Sequence, residues 1–241
     1  MVIYGIQPTL EALRAGRVTA VAISTRRAAG LSELVRLAES RQVRLRRVEP
    51  AELDRLAAGG VHQGVVATAD PLDASTVSDL VAAGDPPLLV VLDGIEDPRN
   101  LGAIARAAEA AGAAGMIVQK RRTAPVSPVA LKASAGALAH LPVVPVVNVA
   151  RALEELKAAG VWTVGLDANA GRTIFEVDLR LPRAFVVGAE GRGLRRLVRE
   201  RCDWAAALPM RGRIGSLNAA VAAGVALFEA VRQRAAVPAG G

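Results

Sequence analysis

The chain has 241 residues, 52% hydrophobic, with six aromatic residues, one cysteine and two histidines. The lone Cys202 cannot close an internal disulfide, and with only His62 and His140 beside it there are too few soft ligands for a structural zinc site, so a reducing cytoplasm and no bound metal are expected. Thirty basic residues, only three of them lysines, oppose 23 acidic ones; the net +7 suits a phosphate-bearing partner, although the Arg bias equally fits a GC-rich genome, and six aromatics are few for a base-stacking single-strand binder.

No apolar run reaches the ~18 residues of a membrane span, and the start MVIYGIQPTLEALRAGR lacks the charged and apolar regions of a secretory signal. Residues 1–70 predict a small α/β unit. Val18 to Ser24, Arg44 to Val48 and Val65 to Ala69 read as strands, with Leu31 to Glu39 and Ala51 to Leu56 as helices. Residues 71–87, lying in a stretch that begins and ends in Asp-Pro and carries one short helical pattern, are expected to be a linker between two independent cores. From Leu88 the runs LLVVLD, GMIVQ, LPVVPVV, VWTVGLD and AFVVGAE predict strands apolar on both faces, as in a parallel sheet covered by helices. The helices expected between and after them are Asn100 to Ala111, Pro128 to Ala133, Arg151 to Ala159, Leu194 to Arg199 and Ser216 to Arg234. The second unit thus spans 88–235, and a disordered tail is expected over 236–241.

In such a sheet, ligands sit beyond the carboxyl ends of the strands. Three loops there carry candidate chemistry. In DGIEDPRNLGAIAR, Asn100 is placed to cap a helix, with Arg106 nearly two turns further on; a cap and a solvated arginine are the plain alternative. In GAEGRG, three glycines let a ligand approach the backbone, with Glu190 inside the loop; a tight strand-to-helix turn is the alternative. Its spacing is not the dinucleotide fingerprint, which disfavours a nucleotide-dependent oxidoreductase. In LPMRGRIGSLN, Ser216 or Asn218 would cap the last helix. Together the loops predict a pocket of backbone donors and glycines with one strategic arginine and no nucleophile–base pair.

In this order, DPRNLGAIARAAEAAG, VVGAEGRGL and LPMRGRIGSLNAAVAAGVALFEAVRQR resemble the SpoU/TrmH family of RNA ribose 2′-O-methyltransferases. LKASAGALAHLPVV is similar to another segment of its catalytic domain. YGIQPTLEAL and VHQGVVA resemble the substrate-binding domain, similar to ribosomal protein L30e, of the branch that methylates a guanosine in 23S rRNA. The resemblance implies a SPOUT domain with a deep trefoil knot, a homodimer, and bent S-adenosylmethionine held by Leu166, Gly188, Glu190, Gly191, Leu208, Met210, Ser216, Leu217 and Asn218. It makes Asn100, Arg106, Glu190 and Asn218 the catalytic candidates. Arg106, the family's proposed base, has a pKa that equally suits it to positioning phosphate and stabilising an alkoxide. Arg41, Arg44, Arg46 and Arg47 are candidate RNA contacts, or else a solvated strand edge. Transfer to tRNA or another rRNA nucleotide, and a noncatalytic role in ribosome assembly, are the competing readings.

Overall fold

The computed structural model describes residues 1–26, 30–70, 75–121 and 123–235. The expected tail over 236–241 and the first residues of the expected linker, 71–74, lie outside them. The small unit is a four-stranded mixed sheet of β1 (Val2–Tyr4), β2 (Val18–Ser24), β3 (Arg44–Val48) and β4 (Val65–Ala69), in the order β1-β4-β2-β3. It carries α1 (Ile6–Arg14), α2 (Ser32–Ser40) and α3 (Pro50–Leu56). Neither β1 nor α1 was expected. Strand β1 is three residues long, and α1 follows Gly5 at φ +97°, with no side-chain cap of its own. Its free Ile6 N–H donates to Gln63 Oε1 at 3.1 Å, a partner 57 residues away. In the same turn His62 Nδ1 accepts from Gly64 N at 3.0 Å, so YGIQ and VHQG knit the unit together.

The larger unit is a six-stranded, wholly parallel sheet, ordered β10-β8-β9-β5-β6-β7. Its strands are β5 (Leu88–Asp93), β6 (Gly115–Gln119), β7 (Val143–Val146), β8 (Trp162–Leu166), β9 (Arg183–Gly188) and β10 (Trp204–Ala206). Alternation along β5 shows why its run is unbroken. Leu88, Val90 and Leu92 join the core under α5 (Pro98–Ala110), α6 (Pro128–Ala133) and α9 (Ala219–Ala235), while Leu89 and Val91 meet α4 (Val77–Ala82), α7 (Val149–Ala158) and α8 (Arg196–Arg201) on the other face. Edge strand β10 was not anticipated, being only three residues long.

Two expectations are corrected. The segment 71–87 contains α4, opened by a capping box between Thr76 and Asp79, and its Leu80 is buried with Leu89 and Val91. That half of the segment therefore packs with the larger unit. The cores are not independent either, because one continuous apolar cluster runs from Ile3, Leu10 and Leu13 to Leu138 and Leu101. Lys132 Nζ donates to Val61 O at 3.0 Å and His140 Nε2 lies 3.0 Å from Glu11 Oε2 across the same junction. Helix α5, which bears Asn100 and Arg106, is fixed against α6 at Gly102, where a Cβ would lie 2.4 Å from Ala130 O and 2.9 Å from Ser134 N. A methyl group would require the two helices to separate.

Candidate active site

Strand β9 ends at Gly188, and the chain then folds back over that residue. Gly193 N donates to Ala189 O at 2.8 Å, and Gly191 and Gly193 take φ of +74° and +64°. A Cβ on Gly188 would stand 2.2 Å from Gly193 C and 2.4 Å from Leu194 N, so this position admits no side chain. The loop is anchored to the neighbouring strand by charge. Arg195 gives its backbone N–H to Asp93 Oδ2 at 2.8 Å and its Nε to Oδ1 at 2.7 Å, and the Asp93 carboxylate is wholly buried. A buried carboxylate without such donors would be strongly disfavoured, so this pair holds the loop at the end of β5.

Beside the loop lies a cavity of about 640 Å³. Leu166, Gly188, Glu190, Gly191, Leu208, Met210, Ser216, Leu217 and Asn218 all line it. Apolar Leu166, Leu208, Met210 and Leu217 with glycine backbone form a surface that fits the adenosine and sulfonium of the expected donor, since neither group needs a counter-charge as strong as a phosphate's. Asp167, which closes the run VWTVGLD, also lines it and is held by Arg199 Nε at 2.8 Å.

At the rim the Asn218 amide joins three elements. Its Nδ2 donates to Asn100 Oδ1 at 3.0 Å and to Glu190 Oε1, while its Oδ1 accepts from Ala220 N at 2.9 Å and Val221 N at 3.3 Å. Asn218 is thus the cap of α9. Asn100 is not a cap: Asp97 takes that role, accepting from Arg99 N at 2.8 Å ahead of Pro98, which leaves the Asn100 side chain free for Asn218. Arg106 lies outside this cluster, exposed on α5, with no hydrogen bond or ion pair to any described residue. Its guanidinium is available to a ligand.

Cys202 is no nucleophile. Burial, followed by the charges of Asp203 and Asp93, pushes its thiol up to about 12, and Sγ donates to Val198 O at 3.3 Å.

The small unit's arginines do not form one face. Arg44 and Arg46 share one side of edge strand β3 and Arg47 the other, because side chains alternate. Arg46 Nη1 is paired with Glu52 Oε1 at 2.6 Å and Arg41 Nη2 donates to Arg14 O at 3.0 Å. Arg44 and Arg47 are exposed.

Comparison with known proteins adds the following. Residues 87–228 match the SpoU rRNA Methylase family model, and residues 2–74 match the model for RNA 2′-O ribose methyltransferase substrate binding. The chain is 46% identical over 208 residues, 85% of its own length and 84% of the relative's, to the 23S rRNA (guanosine-2′-O-)-methyltransferase RlmB of Pseudomonas putida. It is 44% identical to an uncharacterized tRNA/rRNA methyltransferase of Mycolicibacterium vanbaalenii, over 97% of this chain and 76% of that one. The crystal structure of the SpoU methyltransferase AviRb from Streptomyces viridochromogenes with AdoMet superposes with a TM-score of 0.82 at 30% identity, over 98% of this chain and 91% of that one.

Proposed function

The chain belongs to the SpoU rRNA methylase family, and from that premise we propose that this S-adenosylmethionine-dependent RNA 2′-O-methyltransferase acts on a guanosine of 23S rRNA. The observation that carries the site assignment is the Asn218 amide, which binds the cap of α9 to Asn100 of the first motif and Glu190 of the glycine loop at the cavity rim. The 46% identity to the Pseudomonas enzyme and the substrate-binding match over 2–74 support the rRNA substrate.

When bound, the donor supplies an activated sulfonium methyl. Gly188, Gly191 and the apolar side chains of Leu166, Leu208, Met210 and Leu217 would hold it and shield the reacting centre from water. Asn100, Glu190 and Asn218 hold the rim in one arrangement, so the ribose oxygen meets fixed dipoles rather than mobile water. A ribose hydroxyl is a poor nucleophile until its proton is leaving. Arg106, whose guanidinium stays charged, is assigned to the flanking phosphate and the developing alkoxide rather than to proton removal.

Three further readings belong to the proposal. Threading of the C-terminal segment as a deep trefoil knot is supported by the insertion of β9 between β5 and β8 and the return of α9 onto α5. Residues 1–70 act as an L30e-like RNA-binding unit, with exposed Arg44 and Arg47 on its edge strand, packed against a catalytic unit over 88–235 that α4 of the 71–87 segment also joins. A homodimer is supported by the exposed stripe of Leu217, Val221, Val225 and Phe228, which repeats every three or four residues along α9 and its entry. The test is mass-spectrometric mapping of ribose methylation in rRNA and tRNA from a strain lacking the gene. Loss of one 2′-O-methylguanosine in 23S rRNA is expected; loss confined to tRNA would overturn the rRNA assignment.

A further inference from the structure

A second concavity lies on the same edge of the sheet, away from the cofactor cavity. It is a groove of about 550 Å³ lined by Gln119, Lys120, Arg121 and Val147, where β6 and β7 end. Its floor is fixed. Lys120 N donates to Val146 O at 2.7 Å, continuing the pairing of the two strands, and Gln119 Oε1 accepts from Arg195 Nη2 at 2.9 Å. Arg195 is the residue that ties the glycine loop to Asp93, so one guanidinium spans from the end of β5 to the groove.

The groove's charge is unbalanced. The Asp93 carboxylate neutralises Arg195, whereas the exposed Lys120 and Arg121 side chains have no partner among the described residues. Val147, which lines the same groove, is 81% exposed, an apolar surface of the kind a sugar or base edge covers. Among the described residues, two cations beside an exposed apolar side chain match a nucleotide, with phosphate on the charges and the sugar or base on the valine or stacked on the planar guanidinium.

The strand order supplies the direction. Cofactor loop, Asn100-bearing helix and groove follow β9, β5 and the β6–β7 pair in sequence across the sheet. At ~4.8 Å per strand, the groove lies about 12 Å from the end of β9. We propose that the Gln119–Val147 groove is a subsite for a phosphate and its nucleoside in the RNA strand flanking the methylated ribose. This rests on the RNA methyltransferase reading above.

The test is the double variant Lys120→Gln/Arg121→Gln, compared with Arg180→Gln/Arg232→Gln, which removes equal charge from residues near the amino ends of the strands. Binding to 23S rRNA is measured by anisotropy across a salt series, and S-adenosylmethionine binding by calorimetry. The groove variant should bind the cofactor as the wild type does, bind RNA about tenfold more weakly, and lose about 0.7 units of slope in log K against log salt, the value for one phosphate neutralised on a single strand. The control should stay within about twofold. Equal losses in the two doubles, or an unchanged slope in the groove variant, would overturn the subsite while leaving the methyltransferase reading intact. A wild-type protein that neither binds nor methylates rRNA would overturn both.

Discussion

Asn218 performs two separable tasks with the two ends of one amide. Its oxygen caps α9 and its nitrogen holds Asn100 and Glu190. Asn218→Ala removes both. Loss of the cap costs about 1 kcal/mol, which for a chain of this size lowers Tm by roughly 2–4 °C. Asn218→Asp keeps an acceptor at the helix start and gains about 0.3–1 kcal/mol from the helix dipole. It also places a carboxylate beside Glu190, and two unit charges at ~4 Å repel by about 1 kcal/mol in water, more where water is excluded. The dipole gain and the repulsion nearly cancel while the cap is kept, so the Asp variant should melt close to wild type. Both variants lack the amide donor and should lose about 10²-fold in single-turnover methyl transfer. Calorimetric melting and rapid-quench transfer on the same preparations test this. An Asp variant with wild-type turnover would refute the donor role, and an Ala variant with unchanged Tm would refute the cap.

Arg106→Ala should abolish transfer while cofactor affinity stays within a few-fold of wild type, and Arg106→Lys should rescue poorly because the planar fork is lost; loss of cofactor binding in a folded Arg106→Ala protein would contradict the assignment. Phe228→Arg should convert a dimer to monomers in sedimentation velocity, and a protein already monomeric as wild type removes the basis for the α9 interface. Burial alone would raise the Asp203 carboxyl, but hydrogen bonds from Lys157 Nζ at 2.8 Å and from Thr163 N and Oγ1 at 2.9 and 2.8 Å outweigh it and hold the pKa below its usual 3.8. A depressed carboxyl stabilises the fold above its unfolded pKa and loses that contribution as pH falls through the folded value, so Asp203→Asn should flatten the loss of stability below about pH 4 in urea titrations.

What could be read from the chain depended on whether a signal was local. Strands β5 and β9 are apolar on both faces, and their runs place them without knowledge of any partner. Helix α1 escaped because the group that satisfies its first N–H is Gln63, brought by the fold. Asn100 was misplaced as a cap although the better signal stood three residues earlier, where Asp97 precedes Pro98, a pairing that starts helices for reasons of backbone geometry alone. The arginine cluster looked like one patch because sequence spacing hides the alternation of a strand; Arg44 and Arg47 face opposite ways.

The site itself was legible as three loops but not as one place. Asp93, Asn100, Glu190 and Asn218 come together because β9 inserts beside β5 after the chain has already built β6, β7 and β8 on either side. No residue announces that insertion. Its consequence is that the cofactor loop and the helix bearing Arg106 start from adjacent strands, one hydrogen-bonded spacing apart, and the Asp93–Arg195 pair fastens them. A substitution at Asp93 would therefore free the glycine loop at the cavity and leave the Arg195 guanidinium, still on Gln119 at the groove, with no acidic partner among the described residues.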